Sequence, residues 1–326
     1  MTLRRRTFAT LMLAAALPFG AYAQGYPTKP VKLVVAFAAG GPIDLAARLV
    51  AEGLQQRLGQ PFIVENRTGA NGAIAAEAVK QSPADGYTML ITNASMITIT
   101  PTLVKDLRYN VERDFAPVTR IVASSLVLVV NPDDPVVGGV RTVPELVALA
   151  KRKPGEISYG SAGLNGNVQQ LAFELMADQA GIKLLGVPFK GASEAQMAVL
   201  SRSVSLSFDT MTALQHIKAG KMRALAVSSR ERLPELPDVP TMQELGFTGF
   251  DIGFWSGVFV PKGTPAPVIE LLSKTIGEIS RDPAVRPKLE QLGAVVTSSP
   301  EVFRKHIDAE TAMLADVIRR AKITPQ

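Results

Sequence analysis

Three stretches of this chain gather small and polar residues where a strand-like run gives way to a helix-like one. The richest is Tyr159-Gly160-Ser161-Ala162-Gly163-Leu164-Asn165-Gly166-Asn167, with three glycines, a serine hydroxyl and two amides directly before a helical segment. Neutral donors grouped at the open N–H end of a helix suit an anion such as a carboxylate. Gly155 and Gly160 have the spacing of a P-loop, but Ser161-Ala162 stands where Lys-Ser/Thr is needed, which argues against a nucleoside triphosphate. The second stretch is Phe37-Ala38-Ala39-Gly40-Gly41-Pro42. Paired glycines let backbone approach a ligand closely, Pro42 fits a first helical turn, and Asp44 suits the positive end of the helix dipole. The same residues also make an ordinary capped turn, and the third glycine of a GxGxxG dinucleotide fingerprint is missing. In the third, Phe208-Asp209-Thr210, Asp209 either caps the next helix or faces a cleft, where it would accept a hydrogen bond from a ligand amine or hydroxyl. Thr92-Asn93-Ala94-Ser95 is a fourth candidate with the same two readings.

Catalytic groupings are harder to find. The chain has two histidines and no cysteine, so a zinc-type cluster would have to lean on carboxylates. His216 and His306 both fall in helical segments and read as surface or packing residues. No GxSxG elbow or SxxK pair sits in a strand-turn-helix context. Ser161 could serve as a nucleophile only with a base from elsewhere. These observations predict no catalytic residue, no metal and no cofactor, with an exported serine hydrolase using Ser161 as the competing function.

The elements that must position these stretches alternate along the chain. Val31 to Phe37 is a continuous apolar run of the parallel-strand kind. After it Ile43, Ala46, Ala47, Val50, Leu54 and Leu58 share one helical face, and Gly59 stops the helix. Strands are expected at Phe62–Glu65, Tyr87–Ile91, Ser125–Val130, Ile157–Tyr159, Leu185–Pro188, Val204–Phe208, Arg223–Val227 and Phe254–Val260. Helices are expected at Ala73–Lys80, Val143–Lys151, Val168–Gln179, Ser193–Leu200, Pro267–Ser280 and Glu301–Ala321, with a shorter one between the last two. Short helices and compact connections predict βαβ units in open, mostly parallel sheets flanked by helices, an α/β fold. Such sheets bind ligands beyond the carboxyl ends of their strands, where all four stretches lie.

Composition and the first residues set the compartment. Of 326 residues 47% are hydrophobic, enough for two domains. Arg4, Arg5 and Arg6 precede an apolar run from Ala9 to Gly20 and an Ala21-Tyr22-Ala23 exit. That is the form of a secretory signal peptide, and Arg5-Arg6 leaves twin-arginine or Sec export open. These three arginines supply half of the formal net charge of +6. The remaining Lys and Arg are scattered, and Lys151-Arg152-Lys153 ends a helix, where positive charge suits the dipole. No nucleic-acid surface is expected. Without cysteine there is no disulfide framework, and no later apolar run approaches a membrane span.

The motifs taken together resemble the Bug-type solute receptors of tripartite tricarboxylate transporters over nearly the whole chain after residue 23. The matching text includes Tyr26-Pro27-Thr28-Lys29-Pro30-Val31, the Phe37–Gly41 loop with Asp44, and Val64-Glu65-Asn66-Arg67-Thr68-Gly69-Ala70. Asp85-Gly86-Tyr87-Thr88, Asp114-Phe115-Ala116-Pro117-Val118 and Tyr159-Gly160-Ser161-Ala162-Gly163 follow in order. So do Val187-Pro188-Phe189-Lys190-Gly191, Ala219 to Val227, Pro237-Asp238-Val239-Pro240-Thr241 and Trp255-Ser256-Gly257. The resemblance implies a two-domain periplasmic binding-protein fold of type II with a ligand cleft between the domains. It implies a monomer that captures a small carboxylate and delivers it to integral membrane permease subunits. Residues 24–123 with 246–326 would form one domain and 124–245 the other, with hinges near Ala123 and Phe247. A ligand-sensing partner of a membrane kinase would use the same pocket. Binding positions carried over fall on Phe37, Ala39, Gly40, Gly41, Asn93, Ser161, Ala162, Gly163, Asn165, Gly166, Asn167 and Asp209. Two departures touch this pocket. Ala38-Ala39 stands where the family usually has two prolines, and Gly166-Asn167 precedes the helix where a histidine is common.

Overall fold

The computed structural model describes residues 25–69, 72–104, 106–161, 167–189 and 191–320. The signal-peptide reading of residues 1–23 lies outside them. The chain begins β1 (Val31–Val35), α1 (Pro42–Leu58), β2 (Phe62–Asn66), α2 (Ala73–Lys80) and β3 (Thr88–Asn93). A π-helical turn (Ser95–Ile99), α3 (Thr100–Leu103), α4 (Val111–Asp114), β4 (Phe115–Ser125) and β5 (Val127–Val130) follow. Next come α5 (Val143–Arg152), β6 (Ser158–Ser161), α6 (Val168–Ala180), β7 (Leu185–Pro188), α7 (Ala192–Leu200) and β8 (Leu206–Asp209). After a 3-10 turn (Met211–Ala213), the chain closes with α8 (Leu214–Lys218), β9 (Arg223–Val227), β10 (Gly253–Pro261), α9 (Ala266–Arg281), α10 (Arg286–Glu290), β11 (Ala294–Val295) and α11 (Pro300–Arg320).

The strands form two sheets, ordered β11-β4-β10-β3-β1-β2 and β7-β6-β8-β5-β9. The expectation of mostly parallel sheets is corrected to mixed ones. β1 pairs with β2 and β3, and β6 with β7 and β8, in parallel. The ladders made by β10, β4, β11 and β5 are all antiparallel. Parallel pairs arise where a helix carries the chain back over its own sheet. β10 and β4 instead pair across more than a hundred residues, a direction that no local periodicity records. The 11-residue β4 itself has no counterpart in the sequence reading. Pro117 interrupts its apolar run and cannot donate to a ladder, and the register of β10 shifts between Val258 and Phe259 opposite it.

Each sheet is packed on both faces. Val31, Leu33 and Val35 point into a core shared with α1 and α9, while Val34 and Leu90 point into one shared with α2 and Phe303 of α11. Both faces being covered explains the unbroken apolar run of β1. Helix α1 forms as its pattern dictates: Ile43, Ala46, Ala47, Val50 and Leu54 are buried, Leu58 is half-buried, and Gly59 closes it at φ +73°. The second sheet buries Leu128, Phe173, Leu206 and Phe208 on one face and Val127, Val129 and Val199 on the other. The chain passes between the sheets from β4 to β5 and back from β9 to β10, and α11 packs on both. β4 passes into β5 through Leu126, whose N–H donates to Ser228 Oγ at 2.7 Å, and Ser228 N–H returns to Leu126 O at 2.8 Å. Helix α11 contributes Phe303 and Ile307 to the first sheet's core and Leu314, Val317 and Ile318 to the second's. Among the described residues no helix is long and apolar enough to cross a membrane.

Candidate functional site

The first corner is the link between β1 and α1. Phe37 and Gly41 are half-buried, and Ala39 and Gly40 are exposed. Gly40 sits at φ +81°, a left-handed conformation open to glycine at little cost. Its amide donates to Asp44 Oδ2 at 2.9 Å, closing the loop on the first turn of the helix. Asp44 is only 1% exposed, yet it is well satisfied. Arg48 donates Nε to Oδ2 at 2.9 Å and Nη2 to Oδ1 at 3.1 Å, and Asn66 Nδ2 donates to Oδ1 at 2.8 Å. Burial opposes its charge, but the hydrogen bonds from Arg48, the Gly40 amide and Asn66 hold its pKa below the ordinary carboxylate value. Asp44 is thus more than a dipole partner: it anchors the corner. Asn66 and Arg48, which the sequence reading did not single out as site residues, complete that anchor.

Asn93 ends β3 beside this corner and is buried, its Oδ1 accepting the Met96 amide at 3.2 Å. It therefore caps the turn that follows. Opposite it in the sheet is Ser256 of β10, fully buried, whose hydroxyl has no hydrogen-bond partner among the described residues. Sequence reading missed Ser256 because its position depends on an antiparallel pairing between distant segments.

The second corner follows β6. Ser161 is fully buried, and its Oγ meets the Asn167 side chain, with Asn167 Nδ2 donating at 2.9 Å. Asn167 Oδ1 also accepts the amides of Gln169 and Gln170 at 3.0 Å, which makes it the N-cap of α6. Gln169 Nε2 then donates to Phe208 O at 2.8 Å, tying the start of α6 to the end of β8. Ala162, Gly163, Asn165 and Gly166, also expected here, lie outside the described residues.

Asp209 ends β8 and is 1% exposed. The expected helix-capping role is corrected: Thr210 is the N-cap of the 3-10 turn, accepting the Thr212 amide. Asp209 Oδ1 accepts the Thr210 amide at 2.7 Å, whereas Oδ2 is buried with no hydrogen-bond partner among the described residues. The Gln196 amide donates to Thr212 Oγ1 at 3.1 Å, and the Gln196 and Thr212 side chains both help to favour the charged form of Asp209, with Thr212 Oγ1 3.5 Å from Oδ1. Burial pushes the Asp209 pKa up to about 6 against the hydrogen bond from Thr210. Ser207, two residues earlier on the same face of β8, likewise has a buried hydroxyl without a partner among the described residues.

Strand register relates these corners. β4 runs antiparallel to β10, with Ser125 opposite Gly253, and β10 runs antiparallel to β3, with Ser256 opposite Asn93. Ser125 therefore lies at the edge of the first sheet from which β1 and β3 emerge. Two residues on, Val127 pairs with Asp209, and β6 lies parallel to β8, so the second sheet also turns its carboxyl ends toward this junction. The structure brings Phe37–Gly41, Asn93 and Ser256 to one edge and Ser161, Asn167 and Asp209 to the other, with Leu126 between. Backbone amides, hydroxyls and amide side chains dominate both edges. Among the described residues no group of three histidine or acidic side chains could hold a metal ion.

Known proteins place this arrangement. The family model for the tripartite tricarboxylate transporter family receptor, TctC, matches residues 46–322. Protein BugT of Bordetella pertussis is 36% identical over 300 residues, covering 91% of this chain and 90% of BugT. A solved R. palustris protein with adipate shares 34% identity at a TM-score of 0.76, covering 92% of this chain and 100% of that one. MatC from Rhodopseudomonas palustris with bound malate shares 30% identity at a TM-score of 0.72, covering 90% of this chain and 100% of its own. This chain belongs to the receptor family of the tripartite tricarboxylate transporters.

Proposed function

We propose that this receptor captures a small organic acid between the carboxyl edges of its two sheets and delivers it to integral membrane permease subunits. The ligand positions would be Phe37, Ala39, Gly40, Gly41 and Asn93 on one side. Ser161, Asn167 and Asp209, with Ala162, Gly163, Asn165 and Gly166, would supply the other. The observation that carries the reading is the pairing of Val127 with Asp209 two residues after β4 leaves the first sheet, which turns both carboxyl edges to one junction. Adipate and malate in the related structures are carboxylic acids, in keeping with neutral donors at both corners. Hydrogen bonds to a charged group contribute roughly 1.5–3 kcal/mol each, and several together could reach the roughly 8 kcal/mol of micromolar affinity after the cost of association. As a member of a receptor family the chain is not an enzyme, and Ser161 needs no base.

Each sheet would be the centre of one domain. The chain would cross between them at Leu126 and again between Ser228 and Gly253, with Phe247, Phe250 and Ile252 packed on the second sheet's side. Their packing supports a second crossing later than residue 246. The leader-like residues 1–23 favour export to the periplasm, where the chain would act as a monomer. Screening organic acids by thermal shift tests the reading. An acid at 100 times its Kd should stabilise the protein by about 2.7 kcal/mol. A panel of mono-, di- and tricarboxylates that leaves the melting temperature unmoved would contradict it.

A further inference from the structure

Asn66 ends β2, a strand that supplies none of the expected ligand positions, yet its side chain reaches the first corner. Its Nδ2 donates to Asp44 Oδ1 at 2.8 Å and to the Phe37 carbonyl at 3.0 Å. Its Oδ1 accepts Arg48 Nη2 at 3.4 Å. One amide thus ties the end of β2, the β1–α1 loop and the first turns of α1. Asp44 relays the hold to Gly40 by accepting its amide at 2.9 Å.

We propose that Asn66, acting through Asp44, is a positioning residue that holds the Phe37–Gly41 loop in its ligand-ready shape and so sets affinity; this rests on the reading that the loop faces the ligand. The inward amide of Gly40 is taken by Asp44. The amides of Ala38 and Ala39 have no hydrogen-bond partner among the described residues, and both residues are exposed. With the Phe37 amide, which likewise has no partner among the described residues, these are the loop donors left for an anion. Ala38 and Ala39 lack the fixed φ that proline would give, so their shape depends on what holds the loop from behind. A loop ordered before binding spares the conformational entropy that a mobile one loses on binding. The clamp also spends Arg48. Its guanidinium lies bidentate on Asp44, which leaves recognition at this corner to neutral amides.

The test compares Asn66→Ala and the near-isosteric Asn66→Asp with the unaltered full chain. Amide exchange at Ala38–Gly41 is read by NMR, and affinity for adipate and malate by calorimetry. In both variants the Gly40 amide should exchange about tenfold faster or more, as expected when a hydrogen bond to a charged group is weakened. Exchange in β1 and β3 should stay unchanged, and affinity should fall about tenfold. The Asp variant keeps the size but loses the donor, so it should not rescue. Unchanged exchange at Gly40, or a loosened loop with unaltered affinity, overturns the proposal. Failure of the unaltered chain to bind either acid counts against the ligand reading, and the exchange result then decides the clamp alone.

Discussion

A buried acid that leaves one oxygen without a partner is costly unless something else arrives to satisfy it. Asp209 is in that position, and its pKa near 6 means that it is mostly ionised at pH 7.5. In that state Oδ2 can only accept. A ligand that presents a hydroxyl beside its carboxylates should therefore gain from Asp209, and one that presents a bare carboxylate should be repelled. Asp209→Asn at pH 7.5 is expected to weaken malate about tenfold, the worth of a hydrogen bond to a charged group, and to leave adipate unchanged or improved. Calorimetry with both acids checks this, and an equal loss for both would contradict it. Asp209, Asn93 and the first loop were legible as candidates because small and polar residues preceding a helix are a local signal. Asn66 and Ser256 were not: each reaches the site through strand pairing, and their neighbours in sequence say nothing about it.

At the scale of elements, the first corner is only as well placed as α1, and α1 is set by its contact with α9. Gly53 makes that contact possible: a Cβ there would lie 2.7 Å from Ile279 Cγ2 and 2.8 Å from its Cγ1. Gly53→Ala gains up to about 1 kcal/mol of helix propensity but overpacks a fully buried β-branched side chain, which costs about 1–3 kcal/mol. The overpacking should prevail, giving a net loss of about 1 kcal/mol in denaturant unfolding. Adding Ile279→Val should recover part of it, so that the pair is less than additive. Fully additive losses would show that the two helices can move apart freely. The helices α1, α2, α5, α6, α7, α9 and α11 were readable because an apolar stripe at helical spacing is written into each. β4 was not, since Pro117, Thr119 and Arg120 break its apolar run and its pairing with the distant β10 and β11 makes it a strand.

At the scale of the molecule, α11 spans both cores, and Glu310 sits between its two contact regions. Glu310 is 7% exposed and accepts Trp255 Nε1 at 2.8 Å, and burial pushes its pKa up to about 7. His306, one turn earlier, is pushed down to about 4 by burial and by Arg120, whose Nη1 lies 3.4 Å from its Nε2. The signs oppose each other. Glu310 binds its proton more tightly folded than unfolded, so its contribution is fully present below about pH 4.5 and is lost as pH rises through 7. His306 is held neutral, so its contribution is lost as pH falls from 6.5 toward 4. Glu310→Gln should therefore shrink the decline between pH 5 and 8, most of all above pH 6 where Asp209 no longer contributes, while leaving the acid side unchanged. Melting curves across that range check this, and parallel profiles for the two proteins would contradict it.

The mixed pairing of the sheets was not legible, because strand direction follows from where β4, β5 and β10 pass between sheets. The direction of the corners was easier to read, since strand-to-helix links mark carboxyl ends wherever the strands lie. Everything functional depends on those corners meeting at one ligand. The most direct measurement is an amide-resolved titration with the acid that raises the melting temperature most. Shifts should appear together at Ala38–Gly41 and at Gln169, Gln170 and Thr210–Thr212, from both sheets at one affinity. Shifts confined to one sheet, or gathered at the outer face of α7 around Met197, would contradict the account.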